Sequence, residues 1–579
     1  MMATLFLRIP FILELVFSGF YIVLFSFSML GQYPFDFVQN YADTLLTVSS
    51  YIIPFIIFIS ILANYIYSNG VEEFFRKYIF SIIVFIPLLF TIEDKQFVFW
   101  LSSAHLLSSI LSLYDNNVTG IRDYSNAKST AYNLFQILKM SPAQLVLASF
   151  LLVIVFGTFG LMLPFSTKMG VTLSFWDAVF IATSATCVTG LSPLNIGADF
   201  TMFGQILILF LIQIGGLGIM TLSSSMAILL GKAMGMKDRV VLQDLLDVNS
   251  MEDLVAMVTD IVRYTLVIEL WGAIILTFAF TYDGFEFTQA LYYGVFHSVS
   301  AFCNAGFALF DNSLESYALN PLVHGTVSLL ILLGGLGFIV LKETRTILLK
   351  PKSFARFTLH TKIVFVMTAG LTVVGAFFIF FGEFLGALDG YTLFEKIQIS
   401  LFQSITLRTA GFNTIPLTNL NSFTIYGISL IMFIGASPGS TGGGIKTTTL
   451  AILLQSIKST IFGVKEIDLY DRSIHSSTVV KATALTFISI ILMSAFILVM
   501  MKIEPEHSFL SIFFEVISAG GTVGLTLGLT PYLSVAGKLI ISFVMFVGRV
   551  GPITLLLAIA QQKQVRGKID YPVGRIMIG

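Results

Sequence analysis

Long apolar runs alternate with short polar connections along most of the 579-residue chain. Runs able to cross a bilayer, which takes about 20 residues as a helix, lie near residues 10 to 31, 46 to 68, 77 to 93 and 96 to 114. After the polar stretch DNNVTGIRDYSNAKST they return near 143 to 165, 203 to 231, 254 to 281, 321 to 349, 361 to 382, 420 to 461 with a break, 479 to 501 and 535 to 560. The first run, PFILELVFSGFYIVLFSFSML, is too long for a signal-peptide core and lacks a small-residue cleavage site, so it reads as a retained helix.

Composition agrees with this pattern. At 56% hydrophobic and 11% charged residues, with mean hydropathy +0.90, the chain is too apolar for a soluble protein of its size and is expected to be an all-α polytopic membrane protein. A net charge of −1 gives no footprint for nucleic acid, and Cys187 and Cys303 alone make neither a disulfide framework nor a zinc site. Basic residues gather between alternate runs: Lys232, Lys237 and Arg239; Lys342, Arg345, Lys350, Lys352, Arg356 and Lys362; Lys458, Lys465 and Arg472; Lys563, Arg566, Lys568 and Arg575. These connections are expected to be cytoplasmic.

The opposite connections carry shorter apolar stretches that end in similar octapeptides, SATCVTGL at 184 to 191, SAFCNAGF at 300 to 307, ITLRTAGF at 405 to 412 and SAGGTVGL at 518 to 525. The seventh residue is always glycine, and Gly190, Gly306, Gly411 and Gly524 recur at intervals of 116, 105 and 113 residues. Such regularity indicates four copies of one unit. A second glycine follows each after 25, 28, 24 and 24 residues, in IGGLG, LGGLG, IGASPG and VGRVG, inside the next long run. Each unit reads as an outer helix, a short half-helix, an extended glycine-bearing segment, and an inner helix weakened near its middle. The expected division is residues 1–140 for N-terminal helices and linker, then four units at 141–240, 241–357, 358–465 and 466–579.

Irregular backbone at membrane depth is tolerated where it is buried in protein or lines a watery cavity. Four such segments predict a central pore. A half-helix aims its negative C-terminal end at the axis and so favours a cation, and extended backbone beyond it can offer carbonyl oxygens in place of hydration water. The predicted selectivity-filter residues are Thr186, Cys187, Val188, Thr189 and Gly190; Cys303, Asn304, Ala305 and Gly306; Arg408, Thr409, Ala410 and Gly411; and Gly521, Thr522, Val523 and Gly524. The ion is held by carbonyls alone, with no metal-binding side-chain cluster and no cofactor. For Gly215, Gly216, Gly334 and Gly335, close helix packing is the better reading.

The motifs TCVTGL, FCNAGF, RTAGFNT, GASPGSTGGGIKT and FVGRVGP resemble those of the Trk, Ktr and HKT superfamily of potassium transporters over roughly residues 143 to 579, and the closing GRIMIG resembles the KtrB-type membrane subunit more than the TrkH type. The resemblance implies four linked outer helix, pore loop, inner helix repeats around an ion pore, here with extra N-terminal helices. It also implies potassium uptake across a bacterial cytoplasmic membrane, homodimers embedded in lipid, and a cytosolic KtrA-like nucleotide-binding ring as regulatory partner, with sodium an open question as activator. In the plant HKT branch, serine replacing the first filter glycine accompanies sodium selectivity; glycine stands here in all four places, so potassium is expected.

GASPGSTGGGIKTTT, residues 435 to 449, mimics a phosphate-binding loop, but Ile445 separates Gly444 from Lys446 and no β-α-β context surrounds it. Gly435, Ser437, Gly439, Ser440, Thr441, Gly442, Gly443, Gly444 and Lys446 instead interrupt the third inner helix, and they read as an intramembrane gating loop below the filter, as in the family they resemble. Aligning the inner-helix motifs puts Gly216, Gly335, Ala436 and Arg549 in one column. Arg549 is therefore a candidate gate residue that either bonds loop carbonyls or bridges to a carboxylate such as Glu515. Arg408 is expected to brace its strand against an acidic neighbour, Asp177 to suit a helix N-terminus, and Asp260 to pair with Arg263. The rival reading is a sodium-coupled secondary cation transporter, which would favour inverted halves; an intramembrane enzyme would need a converging nucleophile or metal cluster.

Overall fold

The computed structural model describes residues 2–30, 36–66, 95–96, 98–103, 105–106, 142–230, 251–349, 357–464 and 467–559. The run at 77 to 93, most of the run at 96 to 114, the closing GRIMIG and the majority of the basic residues named above lie outside them. Helices α1 (Met2–Leu30) and α2 (Asp36–Ile66) pack on each other, with Tyr21, Leu24 and Phe25 sharing a small core with Leu46, Ile53 and Ile57.

From residue 142 a long helix, a short helix and a broken helix follow one another four times. They are α3 (Pro142–Leu161), α4 (Phe175–Cys187) and α5 (Met202–Leu230); α6 (Met251–Tyr282), α7 (Phe287–Cys303), α8 (Pro321–Leu336) and α9 (Phe338–Leu349); α10 (Leu359–Gly382), α11 (Leu393–Thr406), α12 (Ser422–Met432) and α13 (Thr447–Ile461); and α14 (Ser476–Ile503), α15 (Phe509–Gly521), α16 (Val535–Val550) and α17 (Pro552–Ile559). Local chemistry sets where they start. Ser174, Thr392 and Ser508 cap α4, α11 and α15 by accepting the N–H of Asp177, Glu395 and Ser511, and Asn320, Asn421 and Ser534 do the same for α8, α12 and α16.

The inner helices break at sharply defined residues. Gly218 (φ 68°, ψ −160°) interrupts α5, Gly337 (φ 95°, ψ 145°) separates α8 from α9 with a bend of 104°, and Gly551 (φ 90°, ψ 138°) separates α16 from α17. These lie three residues beyond the glycines that the spacing singled out. Gly215, Gly334 and Gly548 remain helical, and a Cβ on them would strike the carbonyls of Thr186, Phe302 and Gly520, the third residues of three octapeptides. They are packing glycines, and the left-handed break belongs to the last glycine of IGGLG, LGGLG and VGRVG.

Four helices among the described residues are long and apolar enough to cross a membrane by themselves, and the bent α8–α9 pair is a fifth candidate. Their outward faces carry exposed Leu266, Leu270, Val373, Phe377, Phe487 and Ile491, an apolar surface suited to lipid. The short helices are buried toward the centre. Each inner helix packs on the next short helix in sequence, α5 on α7, α8 on α11 and α12 on α15, while α16 returns to α4 and closes the ring. An ion pair between Lys538 of α16 and Asp177 of α4, at 2.6 Å, clamps that closure. Asp260 pairs with Lys342 at 2.8 Å, across helices, and not with Arg263 on its own helix as expected.

Candidate functional site

The four short helices end alike. Val188, Asn304, Thr409 and Thr522, the fifth octapeptide residues, all have left-handed backbone at φ 57°, 60°, 71° and 52°. Gly190, Gly306, Gly411 and Gly524, two residues on, are also left-handed, at 101°, 69°, 82° and 91°. A left-handed Val or Thr is a steric outlier that persists only where the surroundings enforce it. Part of that enforcement is visible: Ser184 Oγ and Ser518 Oγ each accept the N–H of their glycine at 3.1 Å, and Ser300 Oγ donates to Phe307 O at 2.8 Å. The third segment has Ile405 in that column, and there Gly411 N donates to Thr406 O at 3.4 Å.

The glycines meet one another in chain order around a single axis. A Cβ on Gly190 would lie 2.5 Å from Ala305 O and 3.2 Å from Gly306 Cα, and one on Gly306 would lie 2.8 Å from Ala410 O and 2.9 Å from Gly411 Cα. One on Gly411 would be 2.5 Å from Val523 O and 3.4 Å from Gly524 Cα. One on Gly524 would strike Thr189 O and sit 3.1 Å from Gly190 Cα, which completes the circuit. Each contact pairs a glycine with the carbonyl preceding its neighbour's glycine, so a ring of main-chain oxygens is drawn close and no side chain fits inside it.

Side chains of the fourth column turn away from the axis. Cys187 and Cys303 are buried free thiols, and a Cβ on Gly521 would lie 2.5 Å from Met432 O. Arg408, 4% exposed, reaches α10, where its guanidinium donates to Thr368 O at 3.5 Å. The expected acidic neighbour is replaced by a carbonyl, the negative end of a peptide dipole. His297, buried in α7, donates from Nδ1 to Tyr293 O at 2.8 Å, accepts Leu309 N–H at Nε2 at 3.3 Å and stacks on Phe310, which fastens the chain just after the second glycine.

Between α12 and α13 the chain folds back on itself directly beneath this ring. Gly435 N donates to Ile445 O at 2.8 Å, Lys446 Nζ donates to Gly442 O at 2.7 Å, and Ser440 Oγ donates to Ser437 O at 2.6 Å. Gly439 and Gly444 turn the chain with φ of 68°. Outside contacts hold the loop from several sides. Ser437 N and Thr441 N donate to Gly335 O and Gly334 O, at 3.1 and 3.3 Å, and Gly439 O accepts Phe338 N at 3.0 Å. Thr441 Oγ1 reaches Phe302 O at 3.3 Å, and Gly443 N donates to Thr522 Oγ1 at 2.9 Å.

Arg549, 5% exposed, completes the arrangement. One guanidinium nitrogen donates to Thr441 O in the loop and the other to Gly215 O, three residues before the break in α5. Glu515 is engaged elsewhere, accepting from Thr526 Oγ1 at 2.8 Å and from Thr530. The structure thus brings Gly190, Gly306, Gly411 and Gly524 into one circuit and sets the 435 to 446 stretch and Arg549 beside it, while the Arg408 side chain leads away to α10. Residue type does not mark the left-handed column, whereas the closing glycine shared by IGGLG, LGGLG and VGRVG is the sequence signal for where the weakened inner helices break, at Gly218, Gly337 and Gly551.

Residues 126–567 match the TrkH family, described as a cation transport protein. The chain belongs to the TrkH family. Among relatives, it is 39% identical over 443 residues to the Ktr system potassium uptake protein B of Bacillus subtilis, covering 76% of this chain and 97% of that one. It is 36% identical over 450 residues to the potassium/sodium uptake protein NtpJ of Enterococcus hirae, covering 76% and 98%. The crystal structure of the potassium transporter TrkH from Vibrio parahaemolyticus shares the fold, with a TM-score of 0.56 at 18% identity over 89% of this chain and 98% of that one. The TrkH family match begins after α1 and α2.

Proposed function

We propose that this protein is the ion-translocating subunit of a Ktr-type potassium uptake system in a bacterial cytoplasmic membrane. The observation that carries this reading is the ring in which Gly190, Gly306, Gly411 and Gly524 alternate with the carbonyls of Thr189, Ala305, Ala410 and Val523. Four inward oxygens replace part of an ion's hydration shell, and the four short helices point their negative ends at the same axis. Passage is then selective without a charged side chain in the path. The names of the Bacillus relative and of the Vibrio fold neighbour, both potassium proteins, favour potassium.

The loop from Gly435 to Lys446 is the proposed gate. It lies under the ring, is pinned by bonds to the second and fourth units, and receives a guanidinium whose charge opposes a passing cation. An intramembrane arginine costs roughly 3 kcal/mol on insertion scales, a cost that a gating role would repay. Release of the loop is assigned to a cytosolic nucleotide-binding ring of the KtrA kind, acting on a homodimer; the "Ktr system" in the relatives' names and the sequence resemblance support that partner. Ligand-driven changes in the ring would shift the loop between closed and open populations.

The test is uptake into liposomes containing the purified full chain, with potassium or sodium outside, with and without such a partner. Potassium uptake that exceeds sodium uptake and rises with the partner is expected. Uptake of potassium only when sodium enters with it would instead favour a coupled carrier, the reading toward which the potassium/sodium name of the Enterococcus relative points.

A further inference from the structure

Glu269 lies in the middle of α6 and is 6% exposed. The other three long helices that precede a short helix, α3, α10 and α14, contain no Asp or Glu at all. A carboxyl group at membrane depth is expensive and is retained where it has a task. Its surroundings define that task. Gln213 of α5 donates from Nε2 to Glu269 Oε2 at 3.1 Å. Cys303 Sγ lies 3.8 Å from Glu269 Oε1 and 3.6 Å from Gln213 Oε1. The main chain joins in, because Glu269 O accepts Ser298 Oγ of α7 at 2.6 Å.

The Cys303 side chain is also confined by α5. A Cβ on Gly216 would collide with its sulfur and would lie 2.8 Å from its Cβ. Cys303 is therefore wedged between a bare glycine and an amide–carboxyl pair, and the residues that follow it are the left-handed Asn304, then Ala305 and Gly306. We propose that Glu269 is a positioning residue for ion selection: with Gln213 it fixes Cys303, and through Cys303 the direction of the second segment's carbonyls. The inference rests on the reading of the glycine ring as a filter. A ring of oxygens distinguishes potassium from sodium by the number and placement of its dipoles, so loosening one quarter of it degrades preference before it abolishes passage. Gln213 stands two residues before Gly215, whose carbonyl holds Arg549, so the same set of bonds extends to the loop.

The experiment compares potassium with sodium uptake in liposomes carrying the full-length protein or the variants E269L, E269Q, C303A and E269L/C303A, each checked for folding by gel filtration and thermal unfolding. E269L and C303A are each expected to lower the potassium-to-sodium ratio about threefold or more, the double variant no further than the worse single one, because both act through one side chain. E269Q, which keeps an acceptor for Gln213, is expected to stay within about twofold of the parent. A parental ratio in folded E269L, or single effects that multiply in the double variant, overturns the proposal. If E269L does not fold, C303A decides: a parental ratio there overturns it equally. G306S separates the two levels of argument. Intact preference in G306S defeats the filter reading itself, whereas lost preference in G306S with a parental ratio in E269L defeats the role of Glu269 alone.

Discussion

Arg549, on the fourth inner helix, and Thr441, in the interruption of the third, are joined by a guanidinium-to-carbonyl hydrogen bond across 108 residues of sequence. The same guanidinium holds Gly215 O of the first inner helix. Two carbonyls on two different elements are thus fixed by one planar, two-armed donor, a task that suits arginine better than lysine. If the loop is the gate, this is its latch.

Replacing Arg549 by Ala should therefore raise potassium flux measured without any partner protein, by about tenfold if the lost bonds and removed charge amount to about 1.4 kcal/mol. Arg549→Lys should fall between, since an ammonium reaches one carbonyl at a time. Unchanged flux in a well-folded Arg549→Ala protein would remove the latch from the gating scheme.

Thr522 tests the same loop from the side of the glycine ring. Its hydroxyl accepts Gly443 N at 2.9 Å, and Thr522→Val leaves that buried N–H unpaired at a cost of about 1 to 3 kcal/mol. Leak of potassium through the unactivated protein should rise in Thr522→Val and return to the parental level in Thr522→Ser. Leak in Thr522→Ser with a parental level in Thr522→Val would mean that the methyl group, and not the hydrogen bond, matters.

The glycines of the ring should not tolerate a side chain. Gly524 has φ of 91° and a Cβ there would strike Thr189 O, so Gly524→Ala incurs both backbone strain and a clash with main chain. Potassium uptake should fall by more than about tenfold, a loss above 1.4 kcal/mol in the conduction barrier, while circular dichroism still reports a helical protein. Near-parental uptake would show that the ring in solution is wide enough to take a methyl group.

Ring closure should be separable from conduction. The Asp177–Lys538 pair ties α4 to α16 with both side chains 15% exposed, between the exposed and buried limits, so Lys538→Met should destabilise by about 1 to 3 kcal/mol. Thermal unfolding in detergent should shift down by several degrees with the potassium-to-sodium preference kept. A changed preference with unchanged unfolding would place the pair in selection and not in assembly.

Much of this was readable from local pattern. Gly190, Gly306, Gly411 and Gly524 announced themselves by recurring in one column, and the glycine-rich stretch at 435 to 444 by its inability to stay helical between apolar runs. Other features leave no such mark. Val188, Thr409 and Thr522 carry ordinary side chains, and nothing in their identity signals a left-handed backbone. Arg408 and Asp260 illustrate a different limit: a charge is visible in the sequence but its partner is not, and where an acidic neighbour and Arg263 are expected the fold supplies Thr368 O and Lys342. Glu269 carries no sequence mark either, because one acid in a long apolar run has no periodicity.

Hydropathy, the fourfold spacing and the position of the interruption are properties of short stretches, and they were enough to establish a membrane-embedded helical chain with four matching turns and a broken third helix. Which oxygens face each other, which carbonyls the Arg549 guanidinium takes, and which thiol Glu269 braces depend on segments separated by tens to hundreds of residues. Those pairings arise when helices close into a ring, since the short-range preferences of each segment are compatible with many partners and packing geometry selects one.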